Sequence, residues 1–176
     1  SQRPYHGVDM TTQTPQFQLP KSFDPAEVES RLRAAWDDAG IFHWSGATDA
    51  PPFSIVIPPP NVTAPLHLGH ALNNTLQDVL VRYHRMRGDQ TVWIPGTDHA
   101  GIATQTVVEK RLLLQGKRRT DFTREEFIAM VQEWKEEYEA TILSQLKQTG
   151  ASCDWARLRF TMDEVCEQAV LAAFFR

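Results

Sequence analysis

Apolar residues recur at helical spacing through much of the chain. Val28, Leu32, Ala35, Trp36 and Ala39 fall on one face of a helix that Asp24-Pro25 opens and Gly40 stops. Leu68, Leu72, Leu76, Val79, Leu80 and Tyr83 share a face over 68–87, with Gly88 as the stop. A third helix is predicted over 102–115, ending at Gly116. A fourth runs over 123–148, where Thr123 and Glu126 form a capping box and Gly150 ends it. Its stripe is Phe127, Val131, Trp134, Tyr138, Ile142 and Leu146. Thr161 with Glu164 predicts the cap of a last helix.

Two short blocks follow another rule. Phe53-Ser54-Ile55-Val56-Ile57 is nearly all apolar and is stopped by three prolines, which suits a strand buried on both faces. Gln90-Thr91-Val92-Trp93-Ile94 reads as a second strand halted by Pro95-Gly96. With the helix between them they form a βαβ unit, whose strands should be parallel and whose crossover should be right-handed. Beyond the second strand the pattern is read as wholly helical. Two strands make a poor parallel sheet, and Phe174-Phe175-Arg176 falls inside a helix, so the chain reads as a piece of something larger. Residues 1–9, ahead of Met10, read as an expression remnant; 10–52 as an N-terminal extension with one helix; and 53–176 as the truncated first half of a nucleotide-binding domain.

Composition narrows the class. A chain of 176 residues with 41% hydrophobic and 23% charged residues can bury a core. No apolar run approaches the roughly 20 residues that span a bilayer, so no membrane role is expected. Cys153 and Cys166 are too few for a disulfide framework or a four-thiolate metal site, and the reading is a reducing cytoplasm. A net charge of −4 argues against a chain whose main task is to coat nucleic acid. Two basic clusters remain: Arg82, His84, Arg85 and Arg87, then Lys110, Arg111, Lys117, Arg118 and Arg119. They answer helix dipoles or touch nucleic-acid phosphates.

In a parallel sheet, ligands bind beyond the carboxyl ends of the strands. Pro58-Pro59-Pro60-Asn61 follows the first strand and Pro95-Gly96-Thr97-Asp98-His99 the second. His67-Leu68-Gly69-His70 lies where loop turns into helix, a place that favours anions, and two imidazoles there add donors for a phosphoryl group. Gly69 leaves bare backbone against which a flat ring could pack. The alternative is that one histidine caps the helix and the other packs in the core. Asp98 can hold an ammonium group through a charge-assisted bond, or simply bond its own turn. Neither G-x-G-x-x-G after a strand nor G-x-x-x-x-G-K-[ST] occurs, which excludes nicotinamide and P-loop readings.

Pro58-Pro59-Pro60-Asn61-Val62-Thr63 followed by Leu66-His67-Leu68-Gly69-His70-Ala71 resembles the first signature of class I aminoacyl-tRNA synthetases. The words from Pro95 to Gln105, at Gly150-Ala151-Ser152-Cys153-Asp154-Trp155 and at Phe160-Thr161-Met162-Asp163 are similar to the valyl family in particular. The resemblance implies a helix-rich α/β fold with a partial Rossmann-like parallel sheet. It implies activation of valine with ATP and Mg2+ and transfer to tRNA(Val) by a full-length enzyme, with the remainder of the catalytic domain as partner. It assigns His67 and His70 to catalysis and, with Gly69, to ATP. Asp98 falls to the valine ammonium, and Pro59, Pro60 and Asn61 to the amino-acid side. No metal ligand is implied. The family's lysine-rich second signature has no match here, and Ala64-Pro65 replaces a usual glycine, which would strain the loop at any positive φ. A non-catalytic interaction module that keeps the fold is the alternative.

Overall fold

The computed structural model describes residues 21–46 and 49–176. The reading of 1–9 as a remnant, and the first part of the 10–52 extension, lie outside the described residues. In chain order the elements are α1 (Pro25–Ala39), β1 (Pro52–Ser54), α2 (Leu68–Met86), β2 (Gln90–Val92), β3 (Gly96–Thr97), α3 (Ile102–Leu114), α4 (Arg124–Gln148), β4 (Arg159–Phe160) and α5 (Glu164–Phe174). Most helix ends follow their chemistry. Asp24 caps α1 by accepting from the Ala26 N–H, and Thr123 and Glu126 cap α4 reciprocally.

β1 and β2 pair in parallel, Pro52 opposite Gln90 and Ser54 opposite Val92, as the βαβ reading requires. The expected burial of the first strand on both faces is not found. Ile57 is buried and Phe53 and Ile55 half-buried, while Val56, on the other face, is 84% exposed. The structure also adds a strand to the expected all-helical remainder. β4 lies parallel to β3, Gly96 opposite Arg159. The segment 90–98, which carries β2 and β3, thus runs through both two-stranded sheets. On one side Asp98 N–H donates to the Pro60 carbonyl at 2.8 Å and Val62 N–H to the Asp98 carbonyl at 3.0 Å. On the other, Asp154, Arg159 and Thr161 donate backbone N–H groups to Trp93, Pro95 and Thr97 carbonyls. A two-residue strand carries too little period to be read from sequence.

The core sits around this segment. Ile57, Val81, Trp93, Ala151 and Cys153 form one cluster, and Val62, Ile142 and Leu146 another against α4. The stripe of α4 packs as its period predicts, with Phe127 and Trp134 against Val108 and Leu112 of α3. α2 reverses its expectation. Leu68, Leu72, Leu76, Val79, Leu80 and Tyr83 are 46–87% exposed, and the face turned inward carries Asn74, Gln77 and Val81. Directional bonds hold that face: Asp78 accepts from the Ser152 N–H and hydroxyl, Arg82 donates to the Gly150 carbonyl, and Arg85 to the Ser152 hydroxyl. Periodicity identifies an apolar stripe but not what covers it.

α1 buries no residue fully; it docks through Trp36 and Phe42, whose rings face the Arg82 guanidinium. The loop after it is fastened by Asp154, 1% exposed, which takes bonds from the Trp44 N–H, the His43 ring and Arg157. Burial pushes this carboxyl up, but those bonds outweigh it and hold it below the usual range. Cys153 is buried and its thiol is pushed up to about 12, by burial first and the Asp78 carboxylate next. The first basic cluster is committed to internal contacts, since His84 and Arg87 meet Asp89 while Arg82 and Arg85 hold 150–152. No described helix is long and apolar enough to cross a membrane.

Candidate active site

The loop after β1 and the head of α2 border an open cavity of about 630 Å³. Pro59, Pro60, Asn61, His67, Gly69 and His70 all line it, together with Thr63, Asn73 and Asn74, which sequence reasoning did not single out. Ala64 lines it too. Ala64 lies outside the left-handed region, and among the described residues only Ala100 is a non-glycine with positive φ, so the feared strain at the loop is absent.

The histidine pair does two things at once. His67 is the N-cap of α2: its Nδ1 accepts from the Gly69 N–H at 3.1 Å, while the His67 N–H donates to His70 Nδ1 at 3.2 Å. A ring nitrogen that accepts carries no proton, so both neutral imidazoles bear theirs on Nε2. Burial, and then the neighbouring His67, hold His70 below the ordinary imidazole value, which favours that neutral form. The capping alternative is therefore realised for His67, yet neither ring packs into the core. The two rings lie 3.9 Å apart beside the cavity. Each leaves an N–H donor on the side away from its backbone partner.

Gly69 has a local reason to be glycine. A Cβ built there would stand 2.9 Å from His67 Cε1, so the capping ring occupies the space a side chain would need. The bare backbone first serves the protein's own imidazole.

Asp98 reaches the same rim by a different route. Its main chain is bonded to Pro60 and Val62, which makes it the neighbour of Asn61 in a parallel bridge. Its side chain, about one-third exposed, is not part of the cavity lining. It is turned toward β4, where Oδ1 accepts from the Thr161 hydroxyl at 2.8 Å. Thr161 was expected to cap α5. Asp163 does so instead, accepting from the Cys166 N–H. An aspartate directly before Glu164 was the better cap in the sequence, and reading it so would have left Thr161 to be explained.

Below the rim, the fully buried Thr97 hydroxyl donates to Glu139 at 2.6 Å, and Glu139 pairs with Lys135 at 2.6 Å. The Lys135 ammonium lies 4.4 Å over the Phe160 ring. α4 thus clamps β3 to β4. The turn between β3 and α3 passes through Ala100 at φ 53° and Gly101 at φ 43°, which sets His99 back toward Asp98. Among the described residues no cluster of His, Cys, Asp and Glu could hold a metal ion.

Comparison with known proteins supplies the context. The family described as tRNA synthetases class I (I, L, M and V) matches residues 31–176. The chain is 60% identical over 157 residues to the valine–tRNA ligase of Chlamydia felis, and 58% identical over 156 to that of Rhizorhabdus wittichii. Each match covers 89% of this chain and 17% of the relative, so the chain spans about a sixth of the length of these relatives. A leucyl-tRNA synthetase from Agrobacterium radiobacter, solved in a ternary complex with tRNA and LeuAMS, superposes with a TM-score of 0.71 at 19% identity, over 88% of this chain and 18% of that one. That likeness concerns the fold, and it fits two short parallel two-stranded sheets among helices. With the family matched over most of its residues, the chain belongs to the class I tRNA synthetases, and its relatives at about 60% identity are valine–tRNA ligases.

Proposed function

We propose that this chain forms the ATP- and valine-binding part of a valine–tRNA ligase, in which a valine carboxylate oxygen attacks the α-phosphorus of ATP. The new P–O bond forms as the α–β bridge breaks, and pyrophosphate leaves with the bridging electron pair. The reading is carried by the reciprocal cap, which fixes two neutral Nε2–H donors beside a cavity at a helix N-terminus. In it, His67 and His70 donate to phosphate oxygens, and Gly69 lies toward the adenine. Pro59, Pro60 and Asn61 border the amino acid, and the Asp98 carboxylate takes its ammonium. Mg2+ would arrive with the triphosphate, whose oxygens supply its ligands. Transfer to tRNA(Val) falls to the longer polypeptide, whose remaining catalytic residues would complete the triphosphate site, and the reaction belongs to the cytoplasm. The alternative of a non-catalytic module loses one of its supports, because Ala64 leaves the loop unstrained.

The test is calorimetric titration of the chain with ATP and with a non-hydrolysable valyl-adenylate analogue. The expected result is saturable binding of both. His67→Ala with His70→Ala should weaken it for both ligands, and Asp98→Ala for the analogue alone. Absence of heat at millimolar ligand, or binding that ignores all three substitutions, would overturn the proposal.

A further inference from the structure

The Thr161 hydroxyl stands at the centre of a small network. It lies 2.8 Å from Asp98 Oδ1, 3.0 Å from the His99 backbone nitrogen and 2.7 Å from His99 Nδ1. A hydroxyl has one proton to give and two lone pairs to accept with. An ionised carboxylate can only accept, so the Thr161 proton goes to Asp98. The backbone N–H of His99 can only donate, so it takes one lone pair. The last contact then requires His99 Nδ1 to carry a proton and donate to Thr161. The same nitrogen stands 3.3 Å from Asp98 Oδ1, near enough for charge attraction, while its hydrogen bond goes to Thr161. The tautomer is opposite to that of His67 and His70. Every assignment that satisfies all three contacts, neutral ring or imidazolium, puts a proton on His99 Nδ1.

The network joins two strands. Asp98 and His99 follow β3, and Thr161 follows β4, 63 positions after Asp98, with the Thr161 N–H on the Thr97 carbonyl at 3.1 Å. The Lys135–Glu139 pair beneath it is internally neutralised. We propose that Thr161 and His99 are positioning residues for the amino-acid substrate: Thr161 holds Asp98 Oδ1 through its hydroxyl and His99 aims that hydroxyl by donating to it, so that Oδ2 is presented to the substrate ammonium. This rests on the reading of Asp98 as the ammonium ligand. The gain is preorganisation, since a carboxylate held in one rotamer loses no freedom when the ligand arrives.

Four proteins test it: wild type, Thr161→Val, Thr161→Ser and Asp98→Asn. Nitrogen-15 NMR reads the His99 tautomer, and titration reads affinity for ATP and for the valyl-adenylate analogue. Wild type should show the His99 proton on Nδ1. Thr161→Val, which keeps the shape and removes the hydroxyl, should move it toward Nε2 and weaken the analogue about tenfold, roughly one lost bond to a charged group. ATP affinity should stay within about twofold and the melting temperature nearly unchanged, because the residue is exposed. Thr161→Ser should restore both tautomer and affinity. A wild-type His99 protonated only on Nε2 would overturn the proposal without any variant. Thr161→Val with unchanged analogue affinity, beside an Asp98→Asn that loses it, would overturn the positioning role and leave the Asp98 reading intact. An Asp98→Asn that binds the analogue normally would remove both.

Discussion

Substituting Gly69 by alanine separates what the first signature does for the fold from what it does for a ligand. The new Cβ would meet His67 Cε1 at 2.9 Å, and a ring on a rotatable side chain yields before backbone does. His67 must therefore swing off the Gly69 N–H and leave its capping position. Losing one exposed cap bond costs about 0.5–1 kcal/mol. Replacing glycine by alanine in a helix returns up to about 0.8–1 kcal/mol, less in a first turn. The two nearly cancel, so stability should stay within about 0.5 kcal/mol of wild type. Nucleotide affinity has no such compensation. One imidazole donor is displaced from a phosphate, which is worth about 2 kcal/mol, or about 30-fold in Kd. Urea denaturation followed by helix signal measures the first quantity, and equilibrium dialysis with ATP the second. A Gly69→Ala protein that binds ATP as wild type does would refute the claim that the seated ring presents the donor. A loss of several kcal/mol in stability would refute the claim that the ring can yield.

Two further outcomes follow from burial and charge. Asp154→Asn should lower stability by about 2–3 kcal/mol, since it removes a buried charge from the Trp44 N–H, His43 and Arg157 while those partners stay partly exposed. Because the native carboxyl is held below its unfolded value near 3.9, its contribution is complete above about pH 4 and fades as pH falls through the native value. The variant should therefore lack that part of the wild-type acid transition in a pH-dependent denaturation series. On α2, Val81→Ala should cost about 2 kcal/mol because Val81 is fully buried, whereas Leu76→Gln should change the urea midpoint hardly at all. A larger cost at Leu76 than at Val81 would show that the helix faces the other way in solution.

The helices were legible where a side chain ends them chemically. Thr123 with Glu126, Gly40 and Gly150 mark boundaries by capping and left-handed geometry, which are local properties of a few residues. The parallel pairing of 52–54 with 90–92 was legible because apolar blocks on either side of a helix have few other solutions. The two signature loops meet at one rim, as strand ends of a parallel sheet must. What stayed hidden depends on distant chain. The inward face of α2 is set by Ser152 and Gly150, some 70 positions away, and by the absence of any described element over Leu72 and Leu76. Thr161 was misread for a similar reason: its spacing from Glu164 has a local explanation, while its actual partners are Asp98 and His99.

The polar underside of α2 has a consequence for the imidazoles at its head. Oily contact resists separation of two surfaces but scarcely resists sliding or rolling, because it has no preferred direction. Hydrogen bonds to Asp78, Arg82 and Arg85 do have one, and they pin the C-terminal half of the helix to residues 150–152. The rod cannot turn about its own axis without breaking them. His67 and His70 therefore keep a constant bearing whatever comes to lie against the uncovered leucines, and the aim of the pair is built into this stretch of polypeptide.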